Sequence, residues 1–260
     1  GGTQALVVAG STGEAAALAT GEYETLLRTA VERVAGRVPV IAGTGAAALP
    51  DAIALTRHAF DIGADAVLIM PPFYFKKPPE VGVANWYRRL LDAAAPRGGR
   101  VLLYHIPQTT GVPISDGVLQ QLLASHGELI WGIKDSTGDP AQLAHFRSAF
   151  PQLAYFAGND HRVAEACAAG GAGSITAGAN VFPDRAAAIQ AAVWGGGDGA
   201  QEQARLSAAR HVLDLFPLQP STKAALAEWA GLPATAVRPP QIELSEEQRT
   251  QLQIALKELA

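Results

Sequence analysis

Short apolar runs alternate with amphipathic segments along the first three quarters of the chain. The runs are "ALVVAG" (5–10), "VPVIAGTG" (38–45), "ADAVLIMPP" (64–72), "RVLLYHIP" (100–107), "LIWGIKD" (129–135), "LAYFAGND" (153–160) and "GSITAGANV" (173–181). Each is nearly continuous in Val, Ile, Leu and Ala, the pattern of a strand covered on both faces. Between them, residues 22–36, 50–63, 81–94, 116–127, 141–150, 162–171 and 184–197 carry helical spacing, and several of these segments close on glycine, a C-cap signal. Strand–helix alternation of this kind predicts a parallel sheet.

Beyond residue 198 the pattern becomes all-helical, over 200–216, 221–231 and 245–260, with "VRPPQIEL" (237–244) as an extended connector and Ser245 as the N-cap of the last helix. The predicted fold is α/β, a (β/α)8 TIM barrel over residues 1–197 followed by a C-terminal helical extension over 198–260. Seven βα units are visible where a closed barrel needs eight, so either the first unit is missing from this chain or the sheet is open.

Composition narrows the function. The chain has 260 residues, 48% of them hydrophobic, and a formal net charge of −4. It has no basic cluster longer than two residues, which argues against nucleic acid and anionic membranes as partners. No apolar run is long enough for a membrane span and nothing resembles a signal peptide, so a cytoplasmic protein is expected. The single cysteine, Cys167, reads as a small buried hydrophobe on a helix. No group of His, Cys or carboxylates has metal-ligand spacing, and glycine-rich nucleotide motifs are absent, so no metal or nucleotide cofactor is expected.

In a barrel, chemistry sits where strands end. Here the strands end in "GSTGE" (10–14), "PPFYF" (71–75), "YHIPQTTG" (104–111), "KDSTGD" (134–139), "GND" (158–160) and "TAGAN" (176–180). Lys134 is one of only five lysines and closes an otherwise apolar run. Burial of an ammonium favours the free amine, the form that attacks a carbonyl to make a Schiff base. The alternative is a strand-end lysine paired with Asp135 or Asp160. Tyr104 ends the preceding strand, where a phenol can face the amine and move protons for it. Ser11 and Thr12, with the backbone N–H groups of their Gly-rich turn, form a candidate carboxylate nest. His105 follows Tyr104 and should point to the other side of its strand. Lys76 and Lys77 read as solvated loop residues, and Trp86, Trp131, Trp194 and Trp229 as packing or interface residues.

Taken in order, "GSTGE", "PFY", "YHIPQTTGV", "GIKDSTGD" and "GND…GSITAGAN" resemble the dihydrodipicolinate synthase and N-acetylneuraminate lyase family of pyruvate-dependent class I aldolases. The resemblance covers nearly the whole chain. It implies a lyase, with a small-molecule substrate pair of pyruvate and an aldehyde, no cofactor beyond the lysine Schiff base, and a homotetramer or homodimer. Lys134 matches the Schiff-base lysine and Tyr104 the proton-relaying tyrosine. Ser11 and Thr12 match the residues that bind the pyruvate carboxylate. Tyr74 matches the tyrosine reached across a dimer interface to join Ser11 and Tyr104, and Ile175 the residue whose backbone lies beside pyruvate. Ser136, Gly158 and Asp160 fall within the matching motifs and are expected to contact substrate.

One departure bears on specificity. Where dihydrodipicolinate synthases carry an arginine for the second substrate's carboxylate, this chain has Thr109. A hydroxyl lacks the bidentate clamp that arginine offers. The resemblance therefore leans toward a sugar-acid or neuraminate-type aldolase. The alternatives are 4-hydroxy-tetrahydrodipicolinate synthase and, outside enzymes, a 2-oxo-acid-binding sensor or scaffold. "KDST" and His161, beside Asp160, also differ from the lyase pattern.

Overall fold

The computed structural model describes residues 2–259. In chain order its elements are β1 (Leu6–Val8), α1 (Thr20–Val34), β2 (Val40–Gly43), α2 (Leu49–Asp61), β3 (Ala66–Ile69), α3 (Glu80–Ala94), β4 (Val101–His105), α4 (Pro107–Thr110), α5 (Asp116–His126), β5 (Ile130–Asp135), α6 (Pro140–Ala149), β6 (Ala154–Ala157), α7 (Val163–Ala168), β7 (Gly173–Ser174), α8 (Pro183–Trp194), α9 (Ala200–Leu213), α10 (Leu218–Ala230) and α11 (Glu246–Lys257). Every expected strand is present, shorter than its apolar run. The strands pair in the order β1-β2-β3-β4-β5-β6-β7. A doubly wound sheet would reverse its order at a switch point, whereas strictly sequential pairing is the topology of the barrel class.

The chain divides into two compact units, and the division falls inside β6 rather than at residue 198. The first unit comprises residues 4–11 and 18–155. Its strands are parallel and in register, with Leu6 opposite Val40, Ile41 opposite Ala66, Val67 opposite Val101 and Leu102 opposite Gly132. Val67, Ile69, Leu102 and Leu103 from the strands, with Leu90, Leu119 and Leu122 from the helices, are fully buried. Cover is incomplete at Leu6 of β1 and Trp131 of β5, both exposed.

Local chemistry sets the ends of these helices. Ser115 accepts from the Val118 N–H and Asp139 from the Ala141 N–H, each meeting an otherwise unsatisfied first-turn donor. Two glycines allow close backbone approach. A Cβ on Gly43 would stand 2.1 Å from the Ala9 carbonyl oxygen, and one on Gly132 would stand 2.2 Å from that of Ala154.

The second unit comprises residues 2–3, 12–17 and 156–259. In it Phe156 and Ala157 of β6 pair with Gly173 and Ser174 of β7. Val181, Phe182, Ala209, Leu213, Ala225, Leu244, Leu252 and Leu256 form one buried cluster. The helices beyond residue 198 therefore pack with the last βα units, which is why the pattern boundary and the packing boundary differ. Ser245 caps α11 as expected, accepting from Gln248 N–H while the Gln248 side chain takes the Ser245 N–H. Cys167 is buried, and burial pushes its thiol up to about 11, as befits an inert core residue. Among the described residues no helix is long and apolar enough to cross a membrane.

Candidate active site

Tyr104 and Lys134 occupy equivalent places near the C-terminal ends of neighbouring parallel strands. They are direct partners in the β4–β5 register, as are His105 and Asp135 one step later. Side chains alternate along a strand, so the register puts tyrosine and lysine on one face and histidine and aspartate on the other. Lys134 is 8% exposed and Tyr104 4% exposed, and the lysine Nζ lies 4.1 Å from the centroid of the phenol ring. The amine is thus desolvated and covers an aromatic face, an attractive arrangement for its charged form. The alternative pairing of Lys134 with Asp135 loses to strand geometry, because Asp135 faces the other way.

Ser11 brings its Oγ to 3.5 Å from the Tyr104 hydroxyl. It follows Ala9 and Gly10 at the end of β1. Ala9 has a φ of +57°, a conformation that non-glycine residues rarely adopt. Burial of Tyr104 opposes its ionisation. The positive charge of Lys134, with hydrogen bonding from Ser11, Lys134 and Ser136, outweighs burial and holds the phenol below its usual value. A phenol tuned in this direction exchanges protons more readily near neutral pH.

Ser136 lies in the turn that follows Lys134. Its N–H donates to the His105 carbonyl at 2.9 Å, and its own carbonyl accepts from Gln108 Nε2 at 2.7 Å. Thr109 is exposed on α4, the short helix that follows Tyr104. Helical spacing cannot announce a four-residue helix, and the sequence pattern missed it.

His105 does point away from Tyr104. Its Nδ1 accepts from the Ile114 N–H at 3.1 Å and its ring meets Phe146 edge-on. Burial lowers its pKa despite the nearby Asp135. Tyr74 is 74% exposed, beside the equally exposed Phe75, and within this chain's first unit it is not hydrogen-bonded to Ser11 or Tyr104. Lys76 is an exposed loop residue, as expected, and its Nζ donates to the carbonyls of Phe73 and Thr110 at 2.6 and 2.9 Å. It thereby ties the tyrosine-bearing loop to the end of α4.

Thr12, Gly158, Asp160 and Ile175 belong to the second unit. Thr12 is part-buried, three positions before Ala15. Nearby Glu14 accepts from the Arg238 N–H and pairs with Lys223, contacts that outweigh burial and keep its carboxyl below the usual range. Ile175 follows β7 and its N–H donates to the Ala157 carbonyl. Gly158 follows β6. The Asp160 carboxylate, expected to contact substrate, is fully buried, with Oδ2 accepting from Arg210 Nη1 at 2.8 Å and from the Gly178 N–H at 3.1 Å. That side chain joins the turn after β6 to α9, and its partner lies 50 residues further on, where no local motif reveals it. Among the described residues no cluster of three or more metal-ligating side chains occurs.

A sequential parallel βα array with a buried amine and a tuned phenol at its strand ends is an arrangement suited to carbonyl chemistry. Residues 1–259 match the model of the dihydrodipicolinate synthetase family, and the chain belongs to that family of lyases.

Among its relatives, an uncharacterized DapA-like lyase of Chloroflexus aurantiacus is 44% identical over all of this chain and 86% of its own length. A 4-hydroxy-tetrahydrodipicolinate synthase of Methanoculleus marisnigri is 36% identical over 98% of this chain and 86% of its own. That of Methylococcus capsulatus is 41% identical over 70% of this chain and 61% of its own. Two solved structures superpose closely. The Acinetobacter baumannii dihydrodipicolinate synthase complexed with pyruvate gives a TM-score of 0.91 at 31% identity, over 99% of this chain and 87% of that one. The E. coli prophage protein YagE, in complex with pyruvate, gives 0.90 at 29% identity over the same shares.

Proposed function

We propose that this chain is a Schiff-base aldolase acting on pyruvate or on a 2-oxo acid that contains a pyruvyl unit. The observation that carries the reading is the Lys134 amine, 4.1 Å from the Tyr104 ring centroid and in register with it on neighbouring strands. The free amine of Lys134 adds to the keto carbon to give a carbinolamine. Tyr104 passes a proton to the departing hydroxyl, water leaves, and the protonated imine results. In cleavage the bond beyond C3 breaks, its electron pair moves onto the imine as an enamine, and an aldehyde departs. In condensation the enamine attacks an aldehyde. Ser11 and Thr12 hold the carboxylate, so the imine carbon is presented in one orientation. On this reading no cofactor is required, because the imine itself is the electron sink. Tyr74 would act from a second copy of the chain in a dimer or tetramer.

For the second substrate we favour a polyhydroxylated sugar acid. The exposed Thr109 offers a neutral hydroxyl where a carboxylate-binding arginine would stand. The second reading, 4-hydroxy-tetrahydrodipicolinate synthase, is favoured by the names of the relatives that share 36–41% identity. Turnover of 2-keto-3-deoxy sugar acids and N-acetylneuraminate, measured as pyruvate release, is to be compared with condensation of pyruvate and aspartate semialdehyde. Release from a sugar acid supports the first reading, and turnover of the semialdehyde alone replaces it with the second. No turnover of any pyruvyl compound overturns both.

A further inference from the structure

Asp135 raises a question that the reaction as described does not answer. It is 2% exposed, on the face of β5 opposite Lys134, and a buried carboxylate is costly unless its oxygens are satisfied. They are satisfied by three donors. Oδ1 accepts from the Thr137 N–H at 3.0 Å, and Oδ2 accepts from the Thr137 hydroxyl and from the Tyr155 hydroxyl, both at 2.9 Å. The neighbouring His105 accepts a hydrogen bond at Nδ1 from the Ile114 N–H, and burial lowers its pKa, so it offers no full charge in return.

Two of those three donors belong to Thr137, and Thr137 Oγ1 in turn accepts from the Asp139 N–H at 3.3 Å. The carboxylate therefore organises the turn that leads out of β5. The residue held inside that turn is Ser136, whose backbone is pinned at both ends, by the His105 carbonyl and by Gln108. Its main chain is fixed, and side-chain hydrogen bonding from Ser136 is among the influences, after Lys134 and Ser11, that lower the Tyr104 pKa.

We propose that Asp135 is a positioning residue for the aldolase reaction: its buried carboxylate locks the Ser136–Thr137 turn and so aims the Ser136 hydroxyl at Tyr104. Ser136 then belongs with Ser11 and Tyr104 to one hydroxyl relay, and Asp135 acts on that relay only through Ser136. The inference rests on Tyr104 as the proton relay. It accounts for a carboxylate at position 135, since an amide whose oxygen met the Thr137 N–H would turn its NH2 toward the Thr137 and Tyr155 hydroxyls and lose both of their donated bonds.

A double-mutant cycle tests it. Thr137→Val removes one donor to Asp135 with little change of shape, and Asp135→Asn removes the charge. Each is made alone and on Ser136→Ala, and the rate of borohydride-trappable imine formation with pyruvate is measured alongside the pyruvate concentration for half-maximal rate. Each single change should slow imine formation about tenfold, leaving the half-saturating concentration within about twofold. Added to Ser136→Ala, Thr137→Val should cost nothing further. Losses that multiply would show that the turn does not act through Ser136 and would overturn the proposal.

Should Asp135→Asn fail to fold, Thr137→Val and Tyr155→Phe carry the same test. A readout free of substrate separates this inference from the pyruvate reading. The ionisation of Tyr104, followed as the absorbance difference from Tyr104→Phe, should move to higher pH in both Ser136→Ala and Thr137→Val. A protein that forms no imine yet shows this shift refutes the pyruvate reading and upholds the positioning. An ionisation that Thr137→Val leaves unmoved overturns the positioning.

Discussion

Lys134 and Tyr104 face each other across the β4–β5 register, with the amine over the phenol ring at 4.1 Å. Neither residue is arresting alone, for a buried tyrosine and a strand-end lysine are both ordinary. Their shared face and burial set them apart, because the lysine charge lowers the pKa of a phenol that burial alone would raise.

Replacing Tyr104 by Phe keeps the ring under Lys134 and removes only the proton-carrying oxygen. Turnover of the best substrate is expected to fall about 10²–10⁴-fold, the usual worth of a positioned acid–base group, while the thermal melt stays close to that of the parent. A loss below about tenfold would remove Tyr104 from the relay.

Lys134→Met tests the electrostatics in the other direction. Burial alone raises a phenol's pKa, and the lysine charge is the largest of the influences that lower it here. Without that charge the phenol has less reason to ionise, so Tyr104 should titrate at higher pH than in the parent. Absorbance titration of the two proteins, each referenced to its Tyr104→Phe derivative, measures the shift. A downward shift would contradict the assigned cause.

Much of this arrangement is legible in the sequence, for stated reasons. The seven strands declare themselves because strands buried on both faces must be apolar throughout, and Lys134 stands out as the polar end of one such run. The two-residue period of a strand correctly sends His105 away from Tyr104. What is not legible is whatever depends on partners distant in the chain. Nothing near Asp160 announces that Arg210 from α9 pairs with its carboxylate. Nothing near Lys76 announces that its ammonium, exposed as expected, reaches the Thr110 carbonyl. Ser136 shows the intermediate case, since "DST" is a local turn signal whose relation to Tyr104 appears only once β4 and β5 are paired.

The Asp160–Arg210 pair makes its own prediction. Asp160 is fully buried and its Oδ1 has no hydrogen-bond partner, so the Arg210 guanidinium supplies most of its compensation. Arg210→Met should destabilise the protein by about 3–5 kcal/mol in urea unfolding, as removal of one partner from a buried ion pair does. The double variant Asp160→Asn/Arg210→Met should recover part of that loss, because no uncompensated charge remains. Equal losses in the single and double variants would mean that the charge is not what Arg210 satisfies.

The proposed aldolase chemistry depends most directly on Lys134 as the residue that bonds to pyruvate. Incubation with pyruvate and borohydride, followed by peptide mass analysis, is predicted to find one reduced pyruvyl adduct on the peptide that contains Lys134, and none in Lys134→Ala. An adduct that persists in Lys134→Ala, or a parent protein that forms none, would contradict it.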